Sequence, residues 1–163
     1  MNEIREVVVV SGKGGTGKTS VVGALASLLT NRVAADCDVD AANLHMILNP
    51  VVLEVKEFIG GKKATIDPSC CTSCGTCREV CRFEAISKDY VVDHRQCEGC
   101  GACYILCPAG AVDFPSSRAG SCYICKDKYS SPFVYAELLP GEENSGKLVA
   151  MVRNEARALA EKN

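Results

Sequence analysis

The chain has 163 residues, of which 47% are hydrophobic and 23% are charged, and its formal net charge at pH 7 is −2. This composition is typical of a globular protein, and so small a net charge predicts no binding to nucleic acid or to an anionic membrane surface. The longest apolar runs, 7–10 and 21–29, are too short to span a bilayer, and no export leader opens the chain. We therefore expect a cytoplasmic protein with no membrane span.

The N-terminal part of the chain, up to Phe58, predicts the beginning of a parallel α/β sheet. Ile4–Val10 is a continuous β-branched run, typical of a buried parallel strand, and a glycine-rich turn follows it. Lys18–Leu29 has the apolar pattern of a helix, and Val33–Asp36 that of a second strand. Strand, helix, strand predicts a βαβ unit with a right-handed crossover. The other predicted elements are a helical turn at Ala41–Leu48, strands at Val51–Phe58 and Phe133–Leu139, and a helix at Ser145–Glu161.

After Gly60-Gly61 the chain becomes rich in cysteine and repeats itself, until Pro115–Gly120 predicts a linker back to the first part. Two runs share the spacing C-x2-C-x2-C-x3-C, and a single constant offset relates every cysteine of the first run to its counterpart in the second. This predicts an internal duplication, and in a chain without an export signal it favours metal binding over disulfides. The first run is Cys71, Cys74, Cys77 and Cys81, and the second is Cys97, Cys100, Cys103 and Cys107.

The spacing of the two runs predicts two [4Fe–4S] clusters rather than zinc sites. Zinc motifs generally pair two C-x-x-C units across a longer loop, whereas three evenly spaced cysteines can wrap one face of a cubane. In two-cluster ferredoxins the fourth cysteine ligates the other cluster. The predicted ligand sets are therefore Cys71, Cys74, Cys77 and Cys107 for the first cluster, and Cys97, Cys100, Cys103 and Cys81 for the second. Residues 63–114 resemble a bacterial two-cluster ferredoxin, except that Arg82 stands where that family usually has proline.

A glycine-rich segment between the first predicted strand and helix fits the phosphate-loop pattern G-x4-G-K-S/T. The glycines allow backbone N–H groups to surround phosphates, and the helix adds the positive end of its dipole. We expect Lys18 to reach the β and γ phosphates of ATP and Thr19 to ligate Mg²⁺. The candidate nucleotide-binding residues are Gly12, Gly14, Gly15, Thr16, Gly17, Lys18, Thr19 and Ser20.

The loop sequence SGKGGTGKTS resembles the deviant Walker A loop of the MinD, ParA and nitrogenase-iron-protein family. In that family the early lysine, here Lys13, reaches across a dimer interface to the partner's nucleotide, so the resemblance implies an ATP-dependent homodimer. Residues 36–45 resemble the segment in which an aspartate places Mg²⁺ or the attacking water. Asp38 is the best match for that aspartate and Asp36 the second. The resemblance thus implies Lys13, Lys18 and Asp38 as catalytic residues.

Nearly the whole chain resembles MinD-superfamily P-loop ATPases that contain an inserted ferredoxin domain. The implied fold class is α/β, a partial P-loop sheet formed by 1–60 and 115–163, with an α+β ferredoxin domain inserted at 61–114. No segment matches the family's third core strand, which carries the Walker B-like aspartate. We therefore expect an N-terminal fragment that is not active alone.

Three functions fit these features. The first is an ATPase that couples nucleotide binding and hydrolysis to electron transfer, with an unidentified redox partner. The second is an ATP-dependent carrier that delivers iron–sulfur clusters to an acceptor protein, and the third is a simple ferredoxin-type electron carrier. Four cysteines fall outside the two runs. We interpret Cys37 as buried packing, Cys70 as a spare thiol, and Cys122 and Cys125 as surface thiols, with a redox or metal-transfer role as the alternative for this pair.

Overall fold

A computed structural model describes residues 4–13, 15–142 and 145–162. These residues form two compact units, one drawn from 4–58, 120–138 and 145–162 and the other from 59–119 and 139–142. The helices are α1 (Lys18–Leu28), α2 (Leu44–Leu48), α3 (Thr76–Glu79), α4 (Ala102–Leu106) and α5 (Ser145–Lys162). The strands are β1 (Ala34–Asp36), β2 (Val51–Lys62), β3 (Thr65–Ile66), β4 (Val112–Asp113), β5 (Ser116–Lys126) and β6 (Pro132–Leu138).

The first unit is built on a sheet with the strand order β1-β6-β5-β2. β1 pairs with β6 in parallel, with Ala35 opposite Val134, and β5 and β6 form an antiparallel hairpin. Successive residues of β6 face opposite sides of the sheet. Phe133 and Tyr135 belong to the cluster with α1 and α2, whereas α5 packs against β6 and β1 and buries Leu148 and Val152. Helices therefore lie on both sides of the β1–β6 pair.

A buried ion pair holds the β5–β6 hairpin to the end of α1. Arg32 donates from Nη2 to the Asp127 carboxylate at 2.6 Å and from Nε to the Ala26 carbonyl oxygen at 2.8 Å. The Asp127 carboxylate also accepts the backbone N–H groups of Tyr129 and Ser131, at 2.9 and 3.0 Å. Since the Asp127 side chain is fully buried, its charge is matched by one cation and two turn N–H groups rather than by water.

Replacing Asp127 with alanine is expected to lower the free energy of unfolding by about 3–5 kcal/mol, because the Arg32 charge would remain buried without its partner. Urea unfolding followed by circular dichroism measures the change. Asp113→Ala is the matched control, because Asp113 is exposed on β4 and its loss is expected to change the free energy of unfolding by less than about 0.5 kcal/mol. Equal changes in the free energy of unfolding for the two variants would show that the Arg32–Asp127 ion pair does not stabilise the hairpin.

The second unit has an internal two-fold relation that follows the sequence repeat. Ile66 of β3 pairs with Val112 of β4, and the bridge between Ile86 and Val92 joins the positions equivalent to them in the cysteine register. Two backbone hydrogen bonds repeat in the same way: Asp67 N–H to Ala111 O at 2.8 Å, and Asp93 N–H to Ala85 O at 2.7 Å. The core between the repeats is shared and contains Ala64, Cys77, Ile86, Cys103 and Val112.

Left-handed backbone conformations also recur at the repeat distance. Three pairs of equivalent positions have positive φ: Ser73 (56°) and Gly99 (63°), Gly75 (87°) and Gly101 (76°), and Glu84 (51°) and Gly110 (61°). Gly75 and Gly101 immediately precede α3 and α4, which occupy equivalent places in the two repeats. The two repeats predicted from the cysteine spacing therefore also have the same backbone conformation at these positions.

Two sequence predictions about the sheet are wrong. Ile4–Val10 forms no strand in the structure, and Val7, Val8 and Val10 are exposed. A β-branched run favours extended structure, but it becomes a strand only where its backbone pairs with a neighbouring strand, and residues 4–10 have no such pairing in the structure. Pro115–Gly120, predicted as a linker, contributes the start of β5. Within the described residues, no helix is long and apolar enough to cross a membrane.

Candidate nucleotide and metal sites

The first cysteine pocket lies beside α3 and brings together Cys71, Cys74, Cys77 and Cys107. These four side chains line an open pocket, whose wall is completed by apolar residues and the half-buried Tyr90. The left-handed Gly75 turns the chain into α3, which places Cys77 inside the helix and leaves Cys71 and Cys74 on the preceding loop. Three members come from one repeat and Cys107 comes from the other.

The second pocket has the same construction around α4, with Cys97, Cys100, Cys103 and Cys81. Phe114 contributes to its wall. Gly99 is the tightest point of its loop, because its φ is positive and an added Cβ would overlap the Lys62 carbonyl oxygen. The structure therefore gathers the predicted ligands into the two predicted sets, each completed by the fourth cysteine of the opposite run.

Electrostatics couple the members of each set. Burial raises the pKa of the Cys77 thiol, and the thiolates of Cys71 and Cys107 raise that pKa further. In the second set, burial raises the pKa of the Cys103 thiol, followed by the thiolates of Cys97, Cys100 and Cys81. Four thiolates in one pocket repel each other unless a cationic group lies between them. Within the described residues, no three His, Cys, Asp or Glu side chains converge closely enough to hold a single metal ion.

Replacing Gly99 with alanine is expected to destabilise the second unit more than replacing Gly110 with alanine. Both positions are left-handed, so either substitution costs about 1–2 kcal/mol in backbone strain. Only the Gly99 substitution adds a steric overlap with the backbone, since nothing lies within 4 Å of a Cβ at Gly110. Thermal unfolding of the two variants measures the difference, and equal losses would show that the contact with Lys62 does not constrain the loop.

The phosphate loop leads into α1 through two left-handed glycines, Gly15 and Gly17 with φ of 77° and 89°. Gly17 is the N-cap residue and has no side chain to cap the first N–H groups of α1, so this end of the helix is suited to an anion. Lys18 donates from Nζ to Ser11 Oγ at 3.0 Å, a partner that the motif alone did not identify. Among the other predicted residues, Gly12, Lys13, Thr16 and Ser20 are exposed, Thr19 is half-buried, and Gly14 lies outside the described residues.

The two candidate aspartates have different surroundings. The Asp36 carboxylate accepts backbone N–H groups of Asp38, Asn43 and Leu44, at 3.1, 3.2 and 3.0 Å, and so fixes the turn that leads into α2. Asp38 is exposed on that turn. Asp36 therefore stabilises the backbone of this turn, and the role of Asp38 in placing Mg²⁺ or water stays a prediction.

Three of the four remaining cysteines do not lie where the sequence interpretation placed them. Cys37 is exposed rather than packed. Cys122 and Cys125 are buried within β5 rather than on the surface, and because residues three apart on a strand point to opposite faces, they cannot share a disulfide or a metal ion. The continuous apolar run 122–125 was the sequence signal for a buried strand at this position. Cys70 is exposed beside the ligand candidate Cys71.

Raising the pH is expected to destabilise the first unit. Burial raises the pKa of Cys122 and of Cys125 from 9.0 to about 11, so the native state retains protons that the unfolded chain releases. The stabilisation from the neutral thiols is complete below pH of about 9 and is lost as the pH rises to about 11. Urea unfolding at several pH values measures this decline. In the double variant Cys122→Ala, Cys125→Ala, the free energy of unfolding should fall less steeply between pH of about 9 and 11. An equally steep fall would show that these two thiols do not cause the pH dependence.

A glycine-rich loop that opens onto a helix N-terminus, beside a sheet with a parallel pair, defines a P-loop nucleotide-binding protein. The chain belongs to the CobQ/CobB/MinD/ParA nucleotide binding domain family, whose family model matches residues 7–161. It is 36% identical over 166 residues to an uncharacterized protein of Methanocaldococcus jannaschii, and the match covers 94% of this chain and 55% of that protein. The chain thus spans about half the length of this curated relative. No solved structure matches the chain significantly.

Proposed function

We propose that the chain is the nucleotide-binding and redox part of an ATPase that couples ATP binding and hydrolysis to electron transfer through two [4Fe–4S] clusters. The observation that carries the proposal is the pair of pockets, each lined by four cysteines and each drawing its fourth cysteine from the other repeat. A family phosphate loop in the same chain supplies the nucleotide half of the proposal.

The donor set and its arrangement fit an iron–sulfur cluster better than a zinc ion. Thiolates are soft ligands that suit both metals. Tetrahedral zinc, with Zn–S bonds of about 2.3 Å, would draw four sulfurs to within about 4 Å of each other. The cysteines here instead follow the arrangement of two-cluster ferredoxins, because in each pocket three come from one repeat and the fourth comes from the other.

The protein's contribution at each pocket is to hold four thiolates and to limit water. The first pocket is walled by Ile66 and Val112 and the second by Ile86 and Val92, apolar side chains that lower the local dielectric and influence a bound cluster's potential. A [4Fe–4S] cluster held there would accept and donate single electrons. The second compact unit, 59–119 with 139–142, supports an inserted ferredoxin domain at 61–114.

At the nucleotide site, Lys18 and the N-terminus of α1 bind the β and γ phosphates of ATP, and Thr19 ligates Mg²⁺. Lys18 already has a hydroxyl partner, Ser11, which holds its ammonium group at the loop until phosphate oxygens replace that contact. Lys13 is exposed on the loop, as a residue reaching a second subunit must be, and Asp38 places the metal or the attacking water. ATP-dependent pairing of two subunits completes the proposal.

The test is anaerobic purification of the protein with iron and sulfide analysis, followed by low-temperature EPR after dithionite. We expect about eight irons and eight sulfides per chain. MgATP is then expected to change the midpoint potential or the rate of cluster oxidation. Zinc in place of iron would contradict the metal assignment. Ready transfer of the clusters to an apo acceptor would identify a carrier instead of an electron-transfer protein.

A further inference from the structure

A tight turn between the two cysteine runs carries Tyr90 to the wall of the first pocket. The bridge between Ile86 and Val92 closes this turn, and Tyr90 donates its N–H to Ser87 O at 3.1 Å. The φ of Tyr90 is 60°, a left-handed conformation that a bulky residue adopts only where its surroundings hold it. The Tyr90 side chain lines the pocket of Cys71, Cys74, Cys77 and Cys107.

The Tyr90 hydroxyl donates a hydrogen bond of 2.6 Å to the carbonyl oxygen of Ser73. Ser73 lies between Cys71 and Cys74 and has a φ of 56°, so it too is left-handed without being glycine. We infer that Tyr90 is a positioning residue, a latch that holds the Cys71–Cys74 loop in the shape that presents both thiols to the first pocket. The inference rests on the proposed clusters, because the latch stabilises a ligating loop.

A comparison with the second repeat explains why only the first pocket has a tyrosine in this role. At the equivalent positions of that repeat, Gly99 replaces Ser73 and Ser116 replaces Tyr90. Gly99 adopts its φ of 63° without strain from a side chain, and its loop packs directly against the Lys62 carbonyl. The second loop therefore reaches the same geometry without a tyrosine hydroxyl, and the first loop needs the hydrogen bond to compensate for a non-glycine residue.

The experiment follows the release of iron to a chelator from the anaerobically prepared protein and from Tyr90→Phe, which removes only the hydroxyl. Release in two phases of about four irons each is expected. The phases are assigned with Cys81→Ala, which retains the first pocket intact, and Cys107→Ala, which retains the second. Tyr90→Phe is expected to accelerate only the first-pocket phase, by about twofold to tenfold, the effect of one net hydrogen bond.

Ser73→Gly is the matched variant that separates a latch from general support by the aromatic ring. With glycine at position 73 the strain is gone, so adding Tyr90→Phe is expected to accelerate release less than twofold. Equal acceleration in both backgrounds, acceleration of both phases, or no acceleration in Tyr90→Phe would each overturn the latch while leaving the clusters in place. Protein that contains no iron and sulfide would overturn the proposed function, and the latch with it.

Discussion

Replacing Cys81 with alanine is expected to reduce the iron content from about eight to about four per chain, and the loss should come from the pocket of Cys97, Cys100 and Cys103. The reason is that Cys81 lines that pocket, although it belongs to the first cysteine run. A cluster deprived of one of four thiolate ligands becomes labile, whereas the pocket completed by Cys107 keeps all of its ligands. Iron and sulfide analysis of anaerobically prepared variants measures the result.

Double variants determine which cysteines share a cluster. Adding Cys97→Ala to Cys81→Ala is expected to cost no further iron, because both residues line one pocket. Adding Cys71→Ala to Cys81→Ala is expected to remove nearly all of it. The reverse pattern would show that the pairing is not crossed. Cys70→Ala is the matched control, since Cys70 is exposed, lies beside a predicted ligand and lines neither pocket, and it should retain about eight irons.

Replacing Lys18 with alanine is expected to weaken MgATP binding by about 10- to 100-fold, the value of a charge-assisted hydrogen bond to phosphate. The helix N-terminus and the glycine turn remain, so residual binding to the backbone N–H groups is expected. Isothermal calorimetry of the protein with MgATP measures the change. Iron content should not change, because Lys18 belongs to the first unit and the cysteine pockets to the second.

Lys147→Ala is the matched control for the loss of a positive charge. Lys147 is exposed on α5, and its removal should leave the affinity for MgATP within about twofold of the original. An undiminished affinity in Lys18→Ala would remove the phosphate loop from the nucleotide site. Lys13→Ala provides a further distinction, because it should impair ATP-dependent pairing of subunits more than it impairs binding to one subunit.

Features set by local chemistry could be predicted from the sequence. The helices at 18–28, 44–48 and 145–162 and the strands at 34–36 and 132–138 lie close to their predicted positions. The cysteine spacing predicted two sets of four, and the same eight cysteines line the two pockets, with left-handed residues such as Ser73 and Gly99 in the loops between them. The family match confirms that the chain belongs to a nucleotide-binding family, as its glycine-rich motif predicted.

Features that depend on which segments come together in the folded chain could not be predicted from the sequence. The apolar run Ile4–Val10 carries a strand signal but no information about whether a neighbouring strand will pair with it, and in the structure residues 4–10 form no strand. Cys122 and Cys125 read as a C-x-x-C motif, yet extended backbone separates them across the sheet. Asp36 and Asp38 are alike in sequence, and only the hydrogen bonds of Asp36 to the α2 turn distinguish them.

Because Cys81 and Cys107 each complete the pocket of the opposite repeat, the two repeats can be transferred to another protein only together. Each repeat supplies three cysteines to its own pocket and one cysteine to the pocket of the other repeat. The pair therefore resembles a domain-swapped dimer fused into one chain. A single repeat could complete a four-cysteine pocket only by meeting a second copy of itself. Recombination that cut between Cys81 and Cys97 would therefore disable both pockets, and only the pair of repeats can be moved to another protein with both pockets complete.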